Sequence, residues 1–293
     1  MPDQLTPQQS IDLIKNHRFA VQKKYGQNFL TDENILNSIV DAAGIGSDDC
    51  VLEIGPGMGA LTGYLLEAAG KVIAVEIDKM LIPILEGTLS HYDNLVLIND
   101  DILKIDIADL ISRENAGRPI KVVANLPYYI TTPIILDLLE NELNIASITV
   151  MVQKEVAERM LEGPGSKAYG ALSLAVQYYS KPHMAMNVPR HCFYPQPDVD
   201  SAVIRMDVYR PDMRPVKAED TKEMFRVIRA AFGQRRKTLV NALGNAPDLR
   251  YSKAQIVKAL EVMGKSETVR GEVLDLEEFA GLTGLLIHQD TSA

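Results

Sequence analysis

Cys50-Val-Leu-Glu-Ile-Gly-Pro-Gly-Met-Gly-Ala60 is the stretch that decides the fold. Cys50 to Ile54 has the composition of a buried strand and stops at a glycine cluster. Ala60 to Ala69 then reads as a helix, with Gly70 expected as its C-terminal stop. A strand, a glycine turn and a helix open a βα unit whose helix N-terminus faces a ligand. Glycines 55, 57 and 59 let the backbone turn tightly and let that ligand come close. The spacing also satisfies G-x-G-x-x-A, the dinucleotide fingerprint, so the loop alone admits a nicotinamide-dependent oxidoreductase as well as other nucleotide-type ligands.

Outward from this loop the pattern repeats. Lys71 to Ile77 is the next strand, and the helix after it carries Pro83 in its first turn, where proline is tolerated. Leu95 to Ile98, Lys121 to Ala124 and Ile148 to Val152 are further strands. A helix from Lys154 to Leu161 and a Gly163-Pro164-Gly165-Ser166 turn follow. Tyr178 to Val188 and Val199 to Val208 are expected to complete the sheet as antiparallel partners. Such alternation predicts an α/β fold built on a doubly wound parallel sheet. After Arg210 the character changes. Pro211 and Pro215 punctuate a linker, and Thr221–Phe232, Arg235–Leu243, Lys253–Val262 and Leu274–Leu286 read as helices. The expected division is a catalytic domain with an N-terminal extension over 1–210 and a small all-helical domain over 211–293.

Composition agrees with that size. A chain of 293 residues, 46% hydrophobic and 24% charged, suits one large globular domain and a smaller second one. No apolar run approaches the roughly 20 residues that span a bilayer, and Met1 to Ser10 is polar, without a signal-peptide pattern. Cys50 and Cys192 lack metal-ligand spacing. A reduced, cytoplasmic protein without a metal or a membrane partner is expected, and nothing demands more than a monomer.

The net charge of -9 disfavours a protein that is basic all over. Distribution matters more. Arg205 to Lys237 holds ten Lys/Arg against five acids, and Lys15, Arg18, Lys23 and Lys24 form a smaller cluster. Local basic patches on an acidic body suit a protein that holds one RNA site. A solvated charged surface accounts for the same counts.

A distinctive residue stands at each strand end: Gly55, Glu76, Asp101 and Asn125, at intervals of 21, 25 and 24 residues. One βα unit per step brings all of them toward the cleft beyond the carboxyl ends of a parallel sheet. Glu76 can accept hydrogen bonds from both hydroxyls of a ribose. Asp101, in the Asp100-Asp101 pair, can accept from an exocyclic adenine amine. The plainer alternatives are a solvated strand end for Glu76 and a helix N-cap for Asp101.

Asn125-Leu126-Pro127-Tyr128 is the most informative tetrapeptide. The exocyclic nitrogen of adenine is a poor nucleophile because its lone pair is delocalised into the ring. Two acceptors aimed at the amino hydrogens, the Asn125 side-chain oxygen and the Leu126 carbonyl, favour a pyramidal nitrogen. Pro127 stiffens the turn and Tyr128 can stack on the base. No strong general base is needed if the transferred group is already activated, so positioning and electrostatics carry much of the rate.

With these residues the chain resembles the ribosomal RNA adenine dimethyltransferases, and among them the bacterial small-subunit branch responsible for kasugamycin sensitivity. The resemblance covers nearly the whole chain. It includes Tyr25-Gly-Gln-Asn-Phe-Leu30, Phe193-Tyr-Pro-Gln-Pro-Asp-Val-Asp-Ser-Ala-Val-Ile-Arg205 and Phe232-Gly-Gln-Arg-Arg-Lys-Thr-Leu239. It implies a Rossmann-like class I fold that binds S-adenosylmethionine as methyl donor. Asn28 and Leu30 would close over the donor, beside Gly55, Glu76, Asp101 and Asn125. The implied substrate is a pair of adjacent adenosines in a hairpin near the 3′ end of 16S rRNA, within the immature small subunit. Loop adenines need little unstacking before a base is flipped out. Phe193 and Tyr194 are candidates to sandwich that base against Tyr128, and Arg235, Arg236 and Lys237 to dock the RNA backbone. The rivals are the related 23S rRNA methylase of macrolide resistance, an assembly factor whose binding outweighs its methylation, and the dehydrogenase. The Arg-Arg-Lys-Thr-Leu stretch and the length of the C-terminal domain favour the small-subunit branch.

Overall fold

The computed structural model describes residues 28–290, and Lys15, Arg18, Lys23, Lys24 and Tyr25 to Gln27 lie outside the described residues. The chain divides into two compact units. One contains the chain up to Ala157 together with Lys181–Val208, and the other contains Glu158–Ser180 and the chain from Tyr209 onward. No helix of the described residues is long and apolar enough to cross a membrane.

The first unit is built on a seven-stranded sheet. Its centre is β2 (Cys50–Ile54), paired in parallel with β3 (Lys71–Glu76) on one side and β5 (Ile120–Asn125) on the other. β4 (Leu95–Asn99) lies beyond β3 and β6 (Ile145–Gln153) beyond β5, both parallel. β9 (Ser201–Val208) pairs antiparallel with β6, and β7 (Ser180–Val188) forms the edge, giving the order β4-β3-β2-β5-β6-β9-β7. The chain thus leaves β2 in one direction and returns on its other side at β5. That reversal of strand order opens a crevice at their carboxyl ends. Register makes the ends level: Ile54 sits opposite both Val75 and Ala124, so Gly55, Glu76 and Asn125 each come one residue later.

Local chemistry explains these elements. Every residue of β2 is buried, as is β3 from Val72 to Glu76, the pattern of strands covered on both faces. β7 alternates in burial and carries Pro182, which an edge strand tolerates. Helix 33–43 starts where the Asp32 carboxylate accepts from the Asn34 and Ile35 N–H groups, and it ends at left-handed Gly44. Arg205 on β9 locks that end by donating to the Ala42 carbonyl at 2.8 Å while Nε donates to Asp207 at 2.9 Å. This cation of the basic tract is therefore structural. Gly70 has a different reason from the one expected. Helix 60–68 ends at extended Ala69, and a Cβ at position 70 would collide with the Ser47 carbonyl oxygen.

The second unit is helical: 171–179, 221–233, 239–244, 253–262 and 276–290, with most of 154–161. Its core is aromatic. Tyr179 stacks on Phe225 at 5.3 Å between ring centres, Tyr178 meets Phe225 edge-on, and Phe232 lies between Tyr169 and Phe279. Arg214 covers both Tyr178 and Tyr179, at 5.3 and 5.0 Å.

The structure corrects three expectations. Tyr178 and Tyr179 end a helix, and the strand begins at Ser180. The division at residue 210 left segment 158–180 with the sheet, but it belongs to the helical unit. The helix read from Arg235 starts at Leu239, because the Thr238 side chain caps it by accepting from the Asn241 N–H. Arg235 to Lys237 form the turn before it.

Candidate active site

Beyond the carboxyl ends of β2, β3 and β5 lies a cleft of about 940 Å³, its open mouth included. Its walls are the Gly55–Met58 turn with Glu53, Glu76 with Ile77, the Asn125–Tyr129 segment, and Asn28 to Leu30. Most of the donor-binding positions anticipated from the sequence therefore converge, from four separate places in the chain.

The glycine turn has the predicted conformation. Gly55, Gly57 and Gly59 have φ of 69°, 61° and 84°, a region in which side chains are strained. A Cβ on Gly55 would meet nothing within 4 Å, so its face is open to a ligand. A Cβ on Gly57 would lie 3.1 Å from the Phe29 ring, and one on Gly59 2.9 Å from Leu85. Gly59 N-caps helix 60–68, whose first turn carries no acidic side chain.

Glu76 is 4% exposed and held rigidly. One oxygen accepts from the Gly57 N–H at 3.1 Å and the other from the Asp78 N–H at 2.8 Å. A carboxylate offers about four acceptor positions, so Glu76 keeps acceptor capacity for a ribose hydroxyl. Burial raises its pKa; the Asp78, Gly57 and Ile77 N–H groups oppose the rise and the Asp78 carboxylate adds to it.

Glu53 was not anticipated as a site residue. It is 1% exposed, lines the cleft, and its Oε2 has no hydrogen-bond partner among the described residues. Burial pushes its pKa up to about 8; Thr62 lowers it and the Glu76 carboxylate adds to the rise. The signal for it was legible: an acid in the middle of a strand otherwise fit only for a core.

Asn125 lies at the end of β5, where its Nδ2 donates to the Asn28 carbonyl at 3.1 Å. No described residue donates to its Oδ1, which remains an acceptor. Leu126 is buried and donates its N–H to the Met151 carbonyl of β6, pinning the segment to the sheet. The Tyr128 hydroxyl is 2.9 Å from Ser201 Oγ on β9, and burial raises its pKa, keeping it protonated. Asn28 and Leu30 flank the segment because β1 (Phe29–Leu30) pairs with β8 (Phe193–Tyr194), Leu30 opposite Phe193 and Phe29 opposite Tyr194. Thr31 fastens this ribbon with two hydrogen bonds to the Cys192 carbonyl, at 2.8 and 2.9 Å. Cys50 and Cys192 are buried and unbridged.

Other anticipated residues are placed differently. Asp101 does not line the cleft. It caps the short helix 102–104, accepting from the Leu103 N–H at 3.2 Å with Lys104 at 3.6 Å. Phe193 is 4% exposed and belongs to the core cluster that includes Phe29, Leu30 and Met58. Tyr194, next in the strand, faces outward at 37% exposure. In the helical unit, the Arg235 guanidinium donates to the Lys167 and Tyr169 carbonyls and pairs with Glu272. Arg236 and Lys237 are exposed.

A doubly wound sheet whose five parallel strands are followed by antiparallel β9, and a glycine turn and acid facing an Asn-Leu-Pro-Tyr segment, define a Rossmann-like class I methyltransferase. The dinucleotide fold has a different strand order, with all strands in sequence along each half. The model of the ribosomal RNA adenine dimethylase family matches residues 18–278, and the chain belongs to that family. Its relatives include the ribosomal RNA small subunit methyltransferases A of Lachnoclostridium phytofermentans, 56% identical over 96% of each chain, and Alkaliphilus metalliredigens, 50% identical over 95% of this chain and 96% of that one. Among solved structures, a dimethyladenosine transferase from Plasmodium falciparum superposes with a TM-score of 0.70 at 29% identity, covering 90% of this chain and 98% of the other. A 23S rRNA methyltransferase shares the fold at a TM-score of 0.65 and 24% identity, over 89% and 100%.

Proposed function

We propose that this chain, acting as a cytoplasmic monomer, dimethylates two adjacent adenosines on N6 in a hairpin near the 3′ end of 16S rRNA. Its target is the immature small subunit, and S-adenosylmethionine is the methyl donor. The observation that carries this reading is the cleft itself, which joins Gly55–Met58 and Glu76 to Asn125–Tyr128. The donor half fits: an open glycine face for the methionine portion, and a rigid carboxylate at Glu76 for the ribose. Asp101 reaches the adenine only if its capping carboxylate also accepts from the amine.

The donor supplies a methyl group already activated on a sulfonium, so the C–S bond breaks as the C–N bond forms and N6 loses a proton to solvent. The protein's part is to hold N6. Asn125 Oδ1 and the Leu126 carbonyl accept from the amino hydrogens and turn the lone pair toward the methyl group. The Asn28 carbonyl orients the Asn125 amide by holding Nδ2. Tyr128, anchored through Ser201, offers its ring to the base. The names of the relatives point to the small subunit, whereas likeness to the 23S enzyme is one of fold.

Asn125→Ala tests the assignment. Turnover on small subunits lacking the modification should fall about a hundredfold or more, as when one positioned polar group is removed from a transition state. Affinity for the donor should change far less. Loss of donor binding in equal measure would make Asn125 a donor ligand only.

A further inference from the structure

A base that leaves its stack brings its phosphodiester with it, and a cation beside the receiving site favours its entry. The cleft supplies none: among the described residues its lining holds two carboxylates, Glu53 and Glu76, and no Lys or Arg. Arg190 is tied to the cleft walls at two points, all within the first unit. It opens the turn Arg190–Cys192 that leads into β8, the strand paired with the Phe29–Leu30 wall. Its backbone N–H donates to Asp200 Oδ1 at 2.9 Å, and Asp200 precedes Ser201, whose Oγ lies 2.9 Å from the Tyr128 hydroxyl.

The exposed guanidinium is directed without being neutralised. Nη1 donates to the Asp198 carbonyl at 3.3 Å, while Nε and Nη2 have no partner among the described residues. Asp198 and Asp200 are exposed on the same loop, and neither carboxylate forms an ion pair with it. The Nε–Nη2 edge is a planar fork that matches two oxygens of a phosphate. We propose that Arg190 is a phosphate clamp beside the cleft, this edge holding a phosphodiester of the RNA strand whose adenosine enters. The proposal rests on the rRNA methylation reading and deepens it by naming a contact to the substrate backbone.

The test compares Arg190→Ala, Arg190→Lys and the unsubstituted protein on small subunits lacking the modification, with donor Kd and Tm measured in parallel. Arg190→Ala should raise KM for the subunit about tenfold, the order expected when one charge-assisted hydrogen-bonded contact is lost. The slope of log K for particle binding against log salt should fall by about 0.7–0.9, the share of one phosphate. Donor Kd should not change. Arg190→Lys keeps the charge and loses the fork, so it should restore the slope while KM stays above the unsubstituted value. An unchanged slope in Arg190→Ala would overturn the proposal. So would a fall in Tm that matches the loss of activity and recurs in Arg190→Lys, because the side chain would then only brace its loop. If the unsubstituted protein binds the donor but transfers no methyl group to the particle, the underlying reading fails, and this one with it.

Discussion

Glu53 shows what one residue in this cleft can control. Its carboxyl titrates near 8 because burial disfavours the charge. In the unfolded chain it titrates at its ordinary 4.5. Between those values the folded protein keeps a proton that the unfolded chain has released, so stability falls as pH rises through that window. Glu53→Gln, neutral throughout, should raise Tm at pH 8 by several degrees and flatten the decline from pH 5 upward. Thermal melts that run parallel for the two proteins would show that Glu53 is already ionised. A cationic donor favours the ionised form, so its binding should tighten as pH rises toward 8 and release a proton at pH 7. Calorimetric titration in two buffers of different ionisation enthalpy would reveal that proton. Phe193 is a second case at this scale. Its truncation to alanine should cost about 3–5 kcal/mol of stability, as for other buried phenylalanines. Tm should then fall together with activity. A selective loss of turnover at unchanged Tm would return Phe193 to the base site.

Among the elements, the glycine turn and the β1–β8 ribbon work as one. Gly57 has φ of 61°, and its missing Cβ makes room for the Phe29 ring. Gly57→Ala should cost about 1–3 kcal/mol in strain and weaken donor binding by displacing that wall. Gly87 offers the opposite sign. It lies exposed in helix 82–88 with nothing within 4 Å of a Cβ, so Gly87→Ala should stabilise the protein by about 0.5–1 kcal/mol. Chemical denaturation of the two variants checks both. The parallel strands and helices 154–161 and 253–262 were legible in the sequence from buried runs, amphipathic spacing and turn residues. Helix 171–179 was not, because seven of its nine residues are buried and no polar stripe marks its period. At the site, Gly55, Glu76 and Asn125 stood out through their spacing. The burial of Phe193 depended on pairing between β1 and β8, residues more than 160 positions apart, which no local pattern encodes.

For the whole molecule the question is how a chain of net charge -9 holds a polyanion. Part of the basic tract is already used: Arg205 locks a helix end, Arg214 covers two tyrosines, and Arg235 brackets the helical unit. Of the three cations expected to dock RNA, Arg236 and Lys237 are exposed and remain candidates for binding phosphate. Replacing both with alanine should weaken particle binding and lower the slope of log K against log salt by about 0.7–0.9 for each phosphate no longer neutralised. Donor affinity should not change. An unaltered slope would assign both cations to solvent.

The most direct measurement follows labelled methyl groups from S-adenosylmethionine into small subunits lacking these modifications, with large subunits and free rRNA alongside, and identifies the product nucleosides by mass. The account predicts dimethyladenosine in small-subunit RNA alone. Label in 23S rRNA, or no transfer from a protein that binds the donor, would contradict it.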